Sequence, residues 1–124
     1  MKVYITGMGA VSPIGMSAAE SFQAAVAGVC GISYTDSFNA ELTQIYAAGQ
    51  VKNFSPEPYV NRREARRMAR FTQMAMVAAM QAWEMSGMQD AAYDAERVGV
   101  VLGSRNEVER VRRYHLEADA ANAG

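Results

Sequence analysis

The run Val98-Gly99-Val100-Val101-Leu102 constrains this chain more than any other feature. None of these residues has a polar side chain, so an extended segment here is apolar on both faces. Such a strand needs cover on both sides, the situation inside a parallel sheet flanked by helices. It ends at Gly103-Ser104. A second β-favouring run, Val3-Tyr4-Ile5-Thr6, is stopped by Gly7 and Gly9 and reads as a buried strand entering a tight turn.

Helical patterns lie between these runs. Ser17-Ala18-Ala19-Glu20 has the spacing of a capping box. It opens a helix with Phe22, Ala25 and Val26 on one face, closed by Gly28. Residues 29 to 44 read as irregular, and Ile45 to Val51 as a short strand weakened by Gly49. Pro56 and Pro58 predict an extended connection. The longest helical pattern runs from about Asn61 to Ser86 and is closed by Gly87. A loop through Asp90 and Asp94 leads to the apolar run. From Arg105 to about Asp119 the composition turns charged and helical. The order strand, helix, weak strand, long helix, strand predicts an α/β fold.

Bulk composition excludes several classes. With 124 residues the chain fits one domain, and a net charge of −1 gives no general pull toward nucleic acid or an anionic membrane. The single cysteine, Cys30, rules out an internal disulfide and points to a reducing compartment, the cytoplasm. No apolar run reaches membrane-spanning length, and the opening residues do not form a secretory signal.

The turn Thr6-Gly7-Met8-Gly9-Ala10-Val11-Ser12 invites a nucleotide-binding reading. A dinucleotide fingerprint requires a third glycine where Ser12 stands, and Pro13 interrupts the start of the helix. The favoured reading is a strand-to-helix turn that uses glycine for its backbone angles. Cys30 follows a helix end and has no neighbouring His, Lys or Arg, so it is a poor nucleophile. One cysteine and His115 do not make a zinc site. The methionines on the long helix are best explained as core filling.

Arg62, Arg63, Arg66, Arg67 and Arg70 form the one concentrated charge feature. At about 100° per residue they fall within an arc of roughly 140° on one helix. Ala65, Met68, Ala69, Met76 and Trp83 take the opposite side. Cations near a helix start oppose the macrodipole, so helix stability does not account for them. Two readings stand: a docking surface for an acidic partner or phosphate, and a solvated face or arginines pairing with carboxylates elsewhere in a larger fold.

Several segments resemble the β-ketoacyl-ACP synthases. Val3-Tyr4-Ile5-Thr6-Gly7-Met8-Gly9-Ala10-Val11-Ser12-Pro13-Ile14-Gly15 is similar to their opening strand and turn. Ala27-Gly28-Val29-Cys30-Gly31-Ile32 and Ala47-Ala48-Gly49-Gln50-Val51 resemble later segments. Arg63-Glu64-Ala65-Arg66-Arg67-Met68-Ala69-Arg70-Phe71-Thr72-Gln73 resembles a distinctive helix start, and Arg97 to Ser104 the strand that follows.

The resemblance implies a partial thiolase-like fold, the amino-terminal part of one half of an αβαβα layered body. It implies a role in fatty-acid or polyketide chain extension: condensation of a cysteine-bound acyl group with malonyl on acyl carrier protein, without a cofactor. It makes the five arginines a carrier-docking patch. It assigns residues 1–104 to the synthase segment and 105–124 to a charged tail that departs from the pattern.

The family's catalytic Cys-His-His set requires two histidines, and this chain has one. The chain is therefore expected to be an inactive piece that needs the remainder of a synthase or a homo-oligomer partner. Alternatives are a non-catalytic carrier-binding or assembly protein and a small nucleotide-binding α/β protein. Ala69 stands where the family commonly has an acidic residue, an expected loss of local salt bridges.

Overall fold

The computed structural model describes residues 1–34, 44 and 46–103. Its elements are α1 (Ala18–Val26), β1 (Ile32–Tyr34), β2 (Ala47–Gly49), α2 (Arg62–Ala65) and α3 (Arg70–Ser86). Two 3-10 turns follow, at Met88–Asp90 and Ala95–Arg97. Strands β1 and β2 form a two-stranded sheet. The chain is thus a mixed helix-and-strand piece. It divides into two units, one of Met1–Ser33 with Gly49–Tyr93, the other of Tyr34–Ala48 with Asp94–Gly124. The expected charged helix after Arg105, with His115, lies outside the described residues.

Helix α1 forms where the capping residues predict. Ser17 is its N-cap, and its hydroxyl accepts from the Glu20 backbone N–H at 3.2 Å. The Glu20 carboxylate reaches back one residue further than in a standard capping box, accepting from Met16 N–H at 2.8 Å. At the other end Gly28 takes a left-handed φ of 73°. Its N–H donates to Ala25 and that of Val29 to Ala24, a Schellman closure. The expected apolar face of α1 is present but uncovered, with Phe22 and Val26 largely exposed.

In the first unit a glycine-rich arm, residues 7–16, lies along α3. The Gln81 amide fastens it with both its groups, accepting from Ala10 N–H at 3.2 Å and donating to the Met16 carbonyl at 2.7 Å. A Cβ on Gly7 would collide with the Ala82 carbonyl, and one on Gly9 with the Ala78 carbonyl. Neither glycine is among the positive-φ residues. This corrects the expectation that the turn uses glycine for its angles: the missing Cβ lets the arm approach helix backbone. The arm then folds back through a Ser12–Gly15 bridge, and the Ser12 hydroxyl lies 2.8 Å from that of Ser21 on α1.

Three further expectations are corrected. The runs Val3–Thr6 and Val98–Leu102 are neither strands nor buried. Val3 and Ile5 are each 81% exposed and Val101 is fully exposed. A doubly covered strand exists only when neighbouring strands satisfy its backbone and helices cover its faces. Neither run is placed in a ladder among the described residues. The Pro56–Pro58 connection is a turn, with a cis Glu57–Pro58 bond and both Tyr59 and Val60 donating to the Pro56 carbonyl. Ile32–Tyr34 forms a strand inside a stretch that reads as irregular.

The long helix is also interrupted, as described below. Among the described residues the buried apolar side chains are Val60, Ala65 and Val77, at 2%, 8% and 5% exposure. All three belong to the first unit. In the second unit Asp94 caps the turn at Ala95–Arg97, its carboxylate accepting from Glu96 N–H at 3.1 Å.

Candidate functional site: a split arginine cluster beside a groove

The arginine stretch forms two helices rather than one. Asn61 caps α2, its side-chain oxygen accepting from Glu64 N–H at 2.9 Å. Ala65 anchors α2 by burial. The chain then turns, with Arg67 N–H donating to Glu64 and Met68 N–H to Ala65. Ala69 is extended (φ −62°, ψ 151°) and α3 begins at Arg70. Gln73 stabilises the break, since its amide nitrogen donates to the carbonyls of Ala65 at 2.8 Å and Met68 at 3.0 Å. These carbonyls lie at the end of α2 and in the turn, where helical partners run out.

Position 69 is therefore the N-cap of α3, and alanine has no side-chain acceptor to offer there. An acidic residue at this position would act first as a cap. The expected loss of salt bridges is not what the geometry singles out.

The break divides the five arginines. Arg62 and Arg63 lie on α2, Arg66 and Arg67 in the turn, and Arg70 at the start of α3. All five are exposed. Arg62 and Arg66 line a groove of about 550 Å³ together with Phe54, Ser55, Pro56, Glu57, Ala65 and Gln73. Arg63 and Arg67 lie outside its lining. No carboxylate among the described residues forms an ion pair with Arg62, Arg63, Arg66 or Arg67.

Arg70 differs. Its Nη2 donates to the Val51 carbonyl at 2.6 Å, and its guanidinium carbon sits 5.6 Å from the centre of the Phe54 ring. Two contributors to this region escape sequence reading. Phe54 and Gln73 are an ordinary aromatic and an ordinary helical glutamine until the chain folds. Nearby, the Tyr59 hydroxyl donates to the Glu84 carboxylate at 2.9 Å. That bond, followed by burial and the charge of Glu84, raises the Tyr59 pKa above the usual tyrosine value.

The remaining candidates are simpler. Cys30 is exposed, with its thiol directed to the Ile32 carbonyl at 3.7 Å. No group of three potential metal ligands occurs among the described residues. The turn of residues 6–12 packs on α3, and the N-terminus of α1 is served by Ser17 and Glu20. There the Glu20 carboxylate holds the Met16 N–H and the Ser17 hydroxyl holds the Glu20 N–H. No helix among the described residues is long and apolar enough to cross a membrane.

Comparison with known proteins gives these features a family. The Beta-ketoacyl synthase, N-terminal domain, matches residues 1–123, and the chain belongs to the β-ketoacyl synthase family. Among curated proteins it is 41% identical over 104 residues to the 3-oxoacyl-[acyl-carrier-protein] synthase 2 of Staphylococcus aureus strain MRSA252. That alignment covers 84% of this chain and 25% of the relative. The protein of the same name from Coxiella burnetii is 38% identical over 103 residues, 83% of this chain and 25% of the relative. The chain thus spans about a quarter of the length of the curated relatives it matches.

Proposed function

We propose that this chain supplies the amino-terminal, carrier-docking part of an enzyme that condenses an acyl group with malonyl on acyl carrier protein, and does not catalyse that reaction alone. The observation that carries the docking part is the set of exposed guanidinium groups of Arg62, Arg63, Arg66 and Arg67, unpaired among the described residues, two of them flanking a groove. Guanidinium groups match carboxylate and phosphate geometry. Both relatives described above are named for the acyl carrier protein they act with. Arg70 completes the cluster, although its guanidinium is engaged within the chain.

The composition supports the second part of the reading: a Cys-His-His set cannot be built with one histidine. In the complete enzyme, Val3–Thr6 and Val98–Leu102 become strands of a thiolase-like αβαβα body in the cytoplasm. Residues 1–104 form the synthase segment and 105–124 a charged tail. Burying a Val, Leu or Ile side chain contributes about 1.5–3 kcal/mol. The exposed Val3, Ile5, Val100, Val101 and Leu102 together forgo on the order of 10 kcal/mol. That sum is comparable to the whole stability of a domain. The same exposure favours a second reading, a non-catalytic assembly partner that completes its fold on another chain.

The test is a titration of the 124-residue chain with acyl carrier protein at several ionic strengths, alongside a condensation assay with a Cys30→Ser control. Salt-sensitive binding is expected, weakened roughly 2- to 30-fold by the double change Arg62→Ala and Arg66→Ala if each exposed charge contributes ~0.2–1 kcal/mol. No condensation above background is expected. Condensation that vanishes in the Cys30 variant would overturn the catalytic half of the proposal. Binding indifferent to both salt and the arginines would overturn the docking half.

A further inference from the structure

We infer that Arg70 is a positioning residue, one that sets a wall of the groove through Val51 and Phe54 rather than meeting the carrier itself. The functional consequence rests on the docking reading above; the positioning is a property of the free chain. Arg70 uses two parts of one planar group at once. An in-plane N–H holds the Val51 carbonyl, and the cation lies near the Phe54 ring. Phe54 and the next three residues, Ser55, Pro56 and Glu57, form one side of the groove. Arg62, Ala65, Arg66 and Gln73 line the rest.

Gln73 is three residues beyond Arg70, on the same first turn of α3, and holds the end of α2 and its following turn. One helical turn therefore grips both sides. Arg70 fixes the 51–54 segment and Gln73 fixes the segment that carries Arg62 and Arg66. A guanidinium suits this work better than an ammonium, because it can donate in its plane while its face meets an aromatic ring. The stripe of five arginines thus contains two functions, four groups facing outward and one turned to the chain's own backbone.

The free chain tests the positioning directly. Lys52 sits inside the pinned segment, so tryptic cleavage after Lys52 reports its release. Arg70→Ala is expected to speed that cleavage, and Arg62→Ala, an equal loss of charge, to leave it unchanged. In nuclear magnetic resonance spectra the Arg70 side-chain signals should carry a ring-current shift that disappears in Phe54→Leu. With carrier protein, Arg70→Ala should weaken binding about two- to fivefold, the range of an exposed cation–aromatic contact, without flattening its salt dependence. Arg62→Ala should flatten it. Arg70→Ala combined with Phe54→Leu should lose no more than Arg70→Ala alone.

Arg70→Lys, which keeps the charge and a donor but loses the plane, should fall between parent and alanine. Full rescue by lysine would mean that charge alone matters and would overturn the inference. Unchanged cleavage in Arg70→Ala would do the same, as would a flattened salt dependence. If no variant binds carrier, the docking reading fails, and the cleavage and resonance measurements still decide the role of Arg70.

Discussion

Replacing Gly9 with alanine separates two reasons for a glycine. At a site where alanine fits, Gly→Ala stabilises by about 0.4–1 kcal/mol because the unfolded chain loses freedom. At Gly9 the new methyl would overlap the Ala78 carbonyl oxygen and lie 2.8 Å from its carbon and 2.9 Å from Gln81 Cβ. Ordinary contact begins near 3.4 Å, so the arm must retreat from α3. The Ala10 to Gln81 hydrogen bond, already 3.2 Å, stretches with it. Overpacking costs about 1–3 kcal/mol and the lost hydrogen bond about 1. The expected destabilisation is therefore about 2–4 kcal/mol. Urea unfolding followed by fluorescence of Trp83, the single tryptophan, reads it out. Trp83 lies on the same helix and meets Tyr93 edge-on at 5.7 Å, so it senses the helix surroundings. Gly28→Ala is the contrasting control, with a left-handed backbone but nothing within 4 Å. It should cost about 1–2 kcal/mol for its angle alone. A Gly9→Ala protein as stable as the parent, or more so, would refute the close-approach argument.

Ala69→Asp is expected to stabilise the chain by about 0.5–2 kcal/mol by capping α3, measured by the same urea titration; no gain would mean that position 69 does not act as a cap. The raised Tyr59 pKa favours the protonated, folded state. Its contribution is fully present below the ordinary tyrosine value of about 10 and is lost as pH rises through the raised folded-state value. Thermal unfolding across that alkaline window should fall more steeply for the parent than for Tyr59→Phe; equal slopes would show that the bond to Glu84 adds nothing. The exposed runs predict concentration-dependent association, visible in sedimentation velocity and reduced by Val101→Asp. A monodisperse monomer of ordinary stability that binds no hydrophobic dye would count against the incomplete-fold reading.

Local signals were legible in the sequence wherever a short-range rule decides the outcome. Ser17 and Gly28 bound α1 as their chemistry requires, and Gly87 ends α3 in a left-handed conformation. Long-range requirements were not legible. Val98–Leu102 has the composition of a doubly covered strand, but composition does not supply the neighbours that make one. The single helix expected from Asn61 to Ser86 breaks because a side chain from its later part, Gln73, satisfies carbonyls at the end of the earlier part. Helical periodicity continues across such a break and hides it. The docking candidates could be named from charge alone. What distinguishes Arg70 from the other four depends on Phe54 and Val51, which approach it only when the chain folds.

The Gln81 fastening also has a bearing on the order in which the chain takes shape during synthesis. Ala10 and Met16, the two residues it secures, leave the ribosome before it does, since they lie 71 and 65 residues earlier along the chain. At translation speeds of about 5–20 residues per second, the arm waits on the order of 4–14 s for the glutamine that holds it. Throughout that interval Val3, Tyr4 and Ile5 are open to solvent and to any passing chaperone. They remain exposed after the glutamine arrives. The fastening at Gln81 fixes where the arm lies without covering the apolar side chains of Val3, Tyr4 and Ile5.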